Sequence, residues 1–244
     1  MEGVVLSGRL KALADMVTPG KSVVDVGCDH GFVSIYLVQQ GHSPKVLAMD
    51  VRTGPLSRAQ EHIAAYGLEN YISTRLSDGL LEYQDGEAQS LVCAGMGGRL
   101  MTRILTESRE KARGLEELIL QPQSELPEFR RFLRDEGYEL LDENILCEDG
   151  KYYFLMKVRY SGRVAAAQEA EAELYERYGE LLLKRRHPVL REYLKMSQEN
   201  LKQIAATLAA NENERAQKRL TELKTELNAL RRALELWNTE AEDT

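Results

Sequence analysis

The sequence predicts an α/β chain. An open, mostly parallel sheet carries helices on both faces, ends in an antiparallel hairpin, and is followed by a helical hairpin. Three observations carry this. Short apolar runs alternate with amphipathic helical patterns between residues 22 and 136, which is how a parallel sheet covered on both sides reads. Two strand-like runs, 138–144 and 152–159, then follow with no helix between them. After residue 163 no strand pattern remains, and apolar residues recur at heptad spacing.

Ahead of the sheet, Leu6, Leu10, Leu13 and Val17 share one helical face, and Pro19-Gly20 ends that helix. Its expected place is over a sheet edge or as a roof on the ligand site. Runs 22–26, 46–49, 72–76, 91–94 and 118–120 read as strands, and 32–39, 55–66, 98–111 and 126–136 as the helices between them. Pro55 suits a first helical turn. Gly41, Gly67 and Gly137 suit the position just past a helix end. Asp149-Gly150 favours a hairpin turn, so the runs on either side of Cys147-Glu148-Asp149-Gly150 pair antiparallel. A dinucleotide-binding dehydrogenase would continue with another helix and parallel strand. A Rossmann-like sheet finished by an antiparallel hairpin is the class I methyltransferase arrangement.

In the last third, Leu190, Leu194, Ser197, Leu201, Ile204 and Leu208 repeat at 4-3-4-3-4 spacing. Leu220, Leu223, Leu227, Leu230, Leu234 and Trp237 repeat at 3-4-3-4-3. These are coiled-coil seams. The short polar link Asn211-Glu212-Asn213-Glu214 makes them an antiparallel pair. The expected organisation is a sheet domain over 1–162 and an α-helical antiparallel coiled-coil domain over 163–244.

Composition bounds the function. The chain has 244 residues, 43% hydrophobic and 29% charged, as in a globular protein. No apolar run approaches the ~20 residues of a membrane span. Met1–Leu6 lacks the basic start and long apolar stretch of a signal peptide, so the expected location is cytoplasmic. Cys28, Cys93 and Cys147 show no metal-ligand spacing; they read as reduced residues of a packed interior, with no disulfide framework and no metal site. The net charge of −7 gives no global attraction to nucleic acid. It is uneven: residues 1–162 carry 18 Lys and Arg against 24 Asp and Glu, residues 163–244 carry 14 against 15. The C-terminal part repels a polyanion less.

The most informative stretch is Val23-Val24-Asp25-Val26-Gly27-Cys28-Asp29-His30-Gly31-Phe32. It reads as strand, tight turn and helix, the crevice where nucleotide-like ligands bind in open α/β sheets. The spacing is Asp-x-Gly-x-Asp-x-Gly, with Asp29 where phosphate-binding loops carry glycine. A carboxylate there repels a phosphate. A cofactor with a positive centre and no phosphate fits better, and S-adenosyl-L-methionine (SAM) is one. Asp50 ends the second strand and is placed to accept ribose hydroxyls. Asp78-Gly79 follows the third strand, beside the expected adenine site, although Asp-Gly is also an ordinary turn. Ala94-Gly95-Met96-Gly97-Gly98 follows the fourth strand and opens a helix, where glycines admit a flat ligand close to the backbone. In class I methyltransferases this loop borders donor and acceptor. His30 is placed to touch cofactor or target base, while His42, His62 and His187 read as structural. Lys184-Arg185-Arg186-His187, the group Arg130, Arg131 and Arg134, and Arg9 with Lys11 are basic clusters. Alone, each reads as a solvated face; together they suit an RNA backbone.

Asp25-Val26-Gly27-Cys28-Asp29-His30 with Ala94-Gly95-Met96-Gly97-Gly98 resembles the bacterial tRNA adenine-N1 methyltransferases of the TrmK type. Leu6-Ser7-Gly8-Arg9-Leu10, Gly54-Pro55, Asp78-Gly79-Leu80, Leu118-Ile119-Leu120-Gln121-Pro122 and Glu148-Asp149-Gly150-Lys151 extend the resemblance, in order, over nearly the whole sheet domain. Cys28 stands where many relatives have serine, and Gln123 where many have asparagine. The resemblance implies SAM-dependent methylation of N1 of adenine 22 in tRNA, with the sheet domain holding the cofactor and the helical domain helping to grip tRNA.

The expected cofactor residues are Asp25, Gly27, Asp29, His30, Asp50, Asp78, Gly79, Ala94, Gly95 and Met96. Asp29, Gly95 and Met96 are the expected catalytic residues, and Arg9, Lys184, Arg185 and Arg186 the expected RNA contacts. The expected partner is tRNA, with no membrane and no obligate protein partner. Two other readings stay open: a class I methyltransferase acting on a small molecule or protein, and a non-catalytic RNA-binding or assembly protein.

Overall fold

The structure is a computed structural model that describes residues 3–163, 169–209 and 214–237. The chain divides into two compact units, Met1–Ala165 and Ala166–Thr244.

The first unit contains a seven-stranded sheet of β1 (Val23–Val26), β2 (Val46–Asp50), β3 (Ile72–Leu76), β4 (Ser90–Met96), β5 (Glu117–Pro122), β6 (Tyr138–Glu148) and β7 (Lys151–Tyr160). The order across the sheet is β3-β2-β1-β4-β5-β7-β6. β1 to β5 run parallel. β7 lies antiparallel between β5 and β6. β1, β2 and β5 are buried along their whole lengths, as parallel strands covered on both faces must be.

Alternate side chains feed two cores. Val24, Val26, Leu47 and Met49 pack with residues of α4 (Gly98–Glu107), α5 (Arg109–Arg113) and α6 (Leu126–Asp135). Val23, Val46 and Ala48 pack with residues of α1 (Gly8–Asp15), α2 (Phe32–Gln39) and α3 (Thr53–Ala65). A one-residue slip of a strand would exchange the two cores, so register is strongly specified. Gly41, Gly67 and Gly137 follow the ends of α2, α3 and α6 with positive φ.

Two expected elements differ. The single helix at 98–111 is broken: the backbone leaves helical geometry at Ser108 (φ −113°, ψ 39°). The new direction sends Ala112 and Leu115 into the core. The hairpin is longer and tighter than its apolar runs suggest. Asp149 and Gly150 both adopt positive φ, 50° and 73°, as a two-residue hairpin turn requires. Pairing therefore continues to Glu148↔Lys151. Cys28 and Cys93 are buried, but Cys147 is exposed; the alternation of β6 turns it to solvent, which corrects the expectation of three interior cysteines.

The second unit is helical: α7 (Glu169–Tyr178), α8 (Glu180–Lys184), α9 (Pro188–Ala209) and α10 (Glu214–Leu236). α9 and α10 pack along their seams, and α10 also packs against α7. Ala216, Ala229 and Ala233 are buried in α10 beside Leu223 and Leu230. Heptad spacing did not reveal α7 or α8. It also overstated the seam of α9, where Ile204 is 46% exposed. Link residues Asn211, Glu212 and Asn213 lie outside the described residues. Among the described residues no helix is long and apolar enough to cross a membrane.

Candidate active site

The carboxyl ends of the parallel strands open onto a cleft of about 650 Å³. It sits where β1 has β2 on one side and β4 on the other, the switch point at which open α/β sheets bind ligands. The cleft collects, from β1 and its turn, Asp25, Gly27, Asp29 and His30; from β2, Asp50; from the loop after β3, Asp78 and Gly79; and from β4, Ala94, Gly95 and Met96. Every residue expected at the cofactor therefore lines one surface.

The turn after β1 is folded back over β2. The amides of Gly27 and Cys28 both donate to the Met49 carbonyl, at 2.8 and 3.0 Å. Gly27 has φ 77°, and a Cβ there would collide with the methyl of Met96. Asp29 is also left-handed, with φ 50°, a conformation that Asp tolerates better than most side chains. Its amide donates to Asp50 Oδ2 at 3.2 Å, and the Arg52 amide donates to Asp50 Oδ1 at 2.9 Å. The Asp50 carboxylate is thus fixed by backbone on both oxygens while being only 5% exposed.

Asp25 is buried, and the Ser34 hydroxyl donates to its Oδ2 at 2.7 Å. Burial pushes its carboxyl up to about 6; Ser34 opposes the rise and the charge of Asp50 adds to it. The thiol of Cys93 is pushed up to about 12 by burial and by Asp25, and that of Cys28 rises for the same reasons. Both shifts disfavour the thiolate, the nucleophilic form of a cysteine.

Asp78 is less free than its sequence position suggests. Arg103 donates to both of its oxygens, at 2.8 and 3.1 Å, and also pairs with Glu107 at 2.8 Å. The Arg103 hydrogen bonds hold the Asp78 carboxyl below the usual carboxylate range. His30 stacks on Phe32, with centroids 5.9 Å apart, and Phe32 on His62, 4.6 Å apart. His62 Nδ1 lies 2.9 Å from the His30 carbonyl oxygen. A carbonyl only accepts, so that nitrogen carries the proton. The reading of His62 as structural thus acquires a purpose: it braces the turn that presents His30.

The register of β4 against β5 shifts between Ala94 and Met96. Gly95 takes φ 77° there, a bulge that re-aims the strand end. Met96 then receives the Gln123 amide on its carbonyl at 2.8 Å, which seats Gln123 on the cleft wall.

Arg9 is where the basic clusters part from expectation. It lines the cleft rather than an outer face, with Nη1 donating to Gln121 Oε1 at 2.7 Å. Arg130 is also not a free cation. Its side chain is 8% exposed, paired with the fully buried carboxylate of Glu143 at 3.0 Å, and stacked over Phe154. Lys184, Arg185 and Arg186 lie in the second unit at the end of α8, where Lys184 pairs with Glu180 at 2.7 Å. Spacing alone gave no reason to place Arg52, Leu100 or Arg103 in the cleft; their partners are set by the fold. Among the described residues no cluster of three or more potential metal ligands occurs.

Comparison with known proteins agrees with this geometry. A methyltransferase domain family matches residues 6–156. The chain is 30% identical over 236 residues to the tRNA (adenine(22)-N(1))-methyltransferase of Bacillus subtilis, covering 96% of this chain and 99% of that one. The crystal structure of the B. subtilis M1A22 tRNA methyltransferase TrmK superposes with a TM-score of 0.81 at 30% identity, over 94% of this chain and 98% of that one. Streptococcus pneumoniae Sp1610, solved in complex with S-adenosyl-L-methionine, gives the same TM-score and identity over 94% of this chain and 100% of that one.

Proposed function

This chain belongs to the tRNA (adenine(22)-N1)-methyltransferase family, and from that premise we propose that it transfers the methyl group of SAM to N1 of adenine 22 in tRNA, in the cytoplasm. The observation that carries the proposal is the cleft at the switch point, in which Asp50 is held by the amides of Asp29 and Arg52.

The residues fit the cofactor. The cleft volume lies in the range of small-molecule sites. Asp50 is anchored through its backbone contacts yet keeps lone pairs for two ribose hydroxyls. Asp25, Asp29, Asp50 and Asp78 make the walls acidic, which disfavours a pyrophosphate and favours a ligand bearing a sulfonium and an ammonium. Gly27 leaves no room for a side chain between the turn and Met96.

Bound SAM supplies a methyl group on a sulfonium, which departs as a neutral thioether. Adenine N1 has a free lone pair, so no residue need deprotonate it before attack. The chain's contribution is alignment, worth up to ~7–11 kcal/mol when fully realised, together with handling of the charge that the base gains. N1 is normally paired or stacked, so the target base has to be splayed out. Gly95 and Met96, at the bulged end of β4, form the wall between donor and acceptor in this reading. Asp29 stabilises the cationic base or takes its N6 proton, Asp25 and Asp50 hold the cofactor, and Asp78 and Gly79 border its adenine.

Asp50→Ala should weaken SAM binding about 10- to 100-fold, the scale of losing hydrogen bonds to a charged group. Calorimetric titration that finds unchanged affinity would remove Asp50 from the cofactor. The 163–244 segment is assigned to tRNA, with Lys184, Arg185 and Arg186 among its contacts. A chain ending at residue 162 should lose about tenfold or more in tRNA affinity at fixed salt while still binding SAM; equal tRNA affinity refutes the assignment.

The experiment that tests the function is methyl transfer from labelled SAM to unmodified tRNA, followed by identification of the product nucleoside by mass spectrometry. N1-methyladenosine that disappears when adenine 22 is replaced is the expected result. SAM binding without incorporation would point to a different acceptor.

A further inference from the structure

We propose that Gln123 selects the target base, reading adenine along its N6 and N7 edge so that N1 stays free for the methyl group. The inference rests on the tRNA-methylating reading above and deepens it by naming a residue that recognises the acceptor.

The loops after β4 and β5 are stapled to each other. The Gln123 amide donates to the Met96 carbonyl at 2.8 Å, and the Gly98 amide donates to the Ser124 carbonyl at 3.1 Å. The glycines permit this approach. A Cβ on Gly98 would stand 2.5 Å from the Ser124 carbonyl oxygen, and one on Gly97 would stand 2.9 Å from Ser124 Oγ. Pro122, just before Gln123, is buried and paired with Met96, and its ring fixes one backbone torsion. The backbone on either side of the Gln123 side chain is therefore held, and that side chain lines the cleft.

The side chain itself is uncommitted. Gln123 is exposed, and among the described residues its carboxamide has no hydrogen-bond partner. Its Nε2 lies over Gly95, 3.8 Å from where a Cβ of that residue would sit. Gln121, two residues earlier, shows the contrast. It is fully buried, and its carboxamide is used up by Arg9 and by the Pro122 carbonyl. One donor and one acceptor thus stand open beside Gly95 and Met96, the wall assigned to the meeting of methyl donor and base. Asp50 and Asp78, assigned to the nucleoside end of the cofactor, belong to β2 and the loop after β3, across β1 from this point.

The chemistry of the reaction decides which ligand suits this group. A carboxamide offers N–H and C=O side by side. Adenine matches that pair in two ways, with N6 and N1 or with N6 and N7. The first would occupy the lone pair that has to attack the methyl. The second leaves it open, and it is the usual bidentate contact of Gln with adenine. Guanine presents two acceptors, O6 and N7, on that edge, so one of the two hydrogen bonds is lost. Pyrimidines have no N7. A backbone phosphate draws its affinity from cations, whereas Gln123 is neutral.

The test uses tRNA carrying adenosine or 7-deazaadenosine at position 22, the second keeping N1 and N6 but replacing N7 by C–H. Wild type, Gln123→Leu and Gln123→Asn are compared for kcat/KM, with SAM and tRNA affinities measured separately. Wild type should lose about tenfold or more on the deaza substrate. Gln123→Leu should lose about 10- to 100-fold on adenosine and show no further loss on the deaza substrate, with both affinities nearly unchanged. Gln123→Asn, which keeps the carboxamide on a shorter stem, should recover part of the rate and part of the preference for N7. A deaza penalty that persists in Gln123→Leu means that another group reads N7, and overturns the proposal. So does a wild type indifferent to the deaza substitution, or a Gln123→Leu enzyme as fast as wild type. A parallel fall in SAM affinity makes Gln123 a cofactor contact and also overturns it. If wild type binds SAM but methylates neither tRNA, the reading of the acceptor itself fails, a result distinct from all of these.

Discussion

Replacing Asp29 with alanine is expected to lower kcat for methyl transfer by about 10²- to 10⁴-fold, the usual worth of a positioned acid or base, with SAM affinity nearly unchanged. The geometry separates the two effects. It is the amide of Asp29, not its carboxylate, that holds Asp50, so the variant keeps the ribose anchor. The carboxylate is 62% exposed, and its recorded partner is His30, 3.7 Å away. It therefore stands at the cleft surface, where a target base enters, and not in the floor. Alanine in a left-handed backbone adds strain of about 1–2 kcal/mol. Asp29→Asn is the control, because Asn tolerates φ 50° and keeps hydrogen-bonding capacity without charge. If the carboxylate stabilises the cationic base, Asn should be nearly as impaired as Ala. A collapse of SAM affinity in both variants would make Asp29 a cofactor ligand instead.

How much of this site was legible depended on whether its partners were local. Asp50 could be placed because an acidic residue closing an apolar strand, 25 positions after Asp25, needs only its own neighbourhood. Both strands are short-range patterns and the Arg52 amide lies two residues away, while the Asp29 amide, 21 residues away, arrives with the parallel pairing of β1 and β2. The glycine turn was legible for the same reason: backbone geometry is written in residue type. The bulge at Gly95 was not, because it is a shift in the register of β4 against β5. The pairing of Asp78 with Arg103, 25 residues apart, was not, since it exists only once α4 packs beside the loop after β3. Arg9 lies in the cleft, a place its spacing did not reveal. On an amphipathic helix a lone arginine looks solvated, and its partners Gln121 and Tyr153 arrive from the far end of the domain. Arg130 failed in the opposite way. It sits beside Arg131 in sequence, but the helix turns it inward to Glu143, so a basic cluster on paper becomes a buried ion pair in space. The same limit hid α7 and α8. The contact of α10 with α7 is likewise absent from the heptad pattern.

Glu117→Ala should destabilise the sheet unit by about 3–5 kcal/mol, the cost of leaving a buried charge set without its counter-charge. Glu117 opens β5 and is 1% exposed. One carboxylate oxygen accepts from the Thr18 amide at 2.8 Å and from Ser90 Oγ at 2.8 Å. The other accepts from Thr18 Oγ1 at 2.6 Å and faces Lys157 at 3.0 Å and Lys21 at 3.3 Å. Burial by itself would raise its carboxyl, but these donors outweigh burial and bring it down to about 2. The sign follows from linkage. A carboxylate whose folded value lies below its unfolded one contributes stability above the unfolded value, near 4.5, and loses it as pH falls toward 2. Wild type should therefore lose up to ~1.4 kcal/mol per pH unit from this group across that window, and Glu117→Ala should lack that slope. Glu117→Gln keeps one acceptor oxygen for the Thr18 amide and Ser90 and removes the counter-charge, while Lys157 keeps the Met16 carbonyl and the Thr18 hydroxyl and Lys21 keeps Glu116, so it should fall between. Denaturant titration of the full chain at pH 7 and pH 4, followed by circular dichroism, reads the difference. Trp237, the only tryptophan, lies in the second unit, so its fluorescence gives an internal control. A sheet transition within about 1 kcal/mol of wild type at pH 7, against the 3–5 expected for a broken buried pair, would mean that water or the lysines' own mobility replaces the carboxylate.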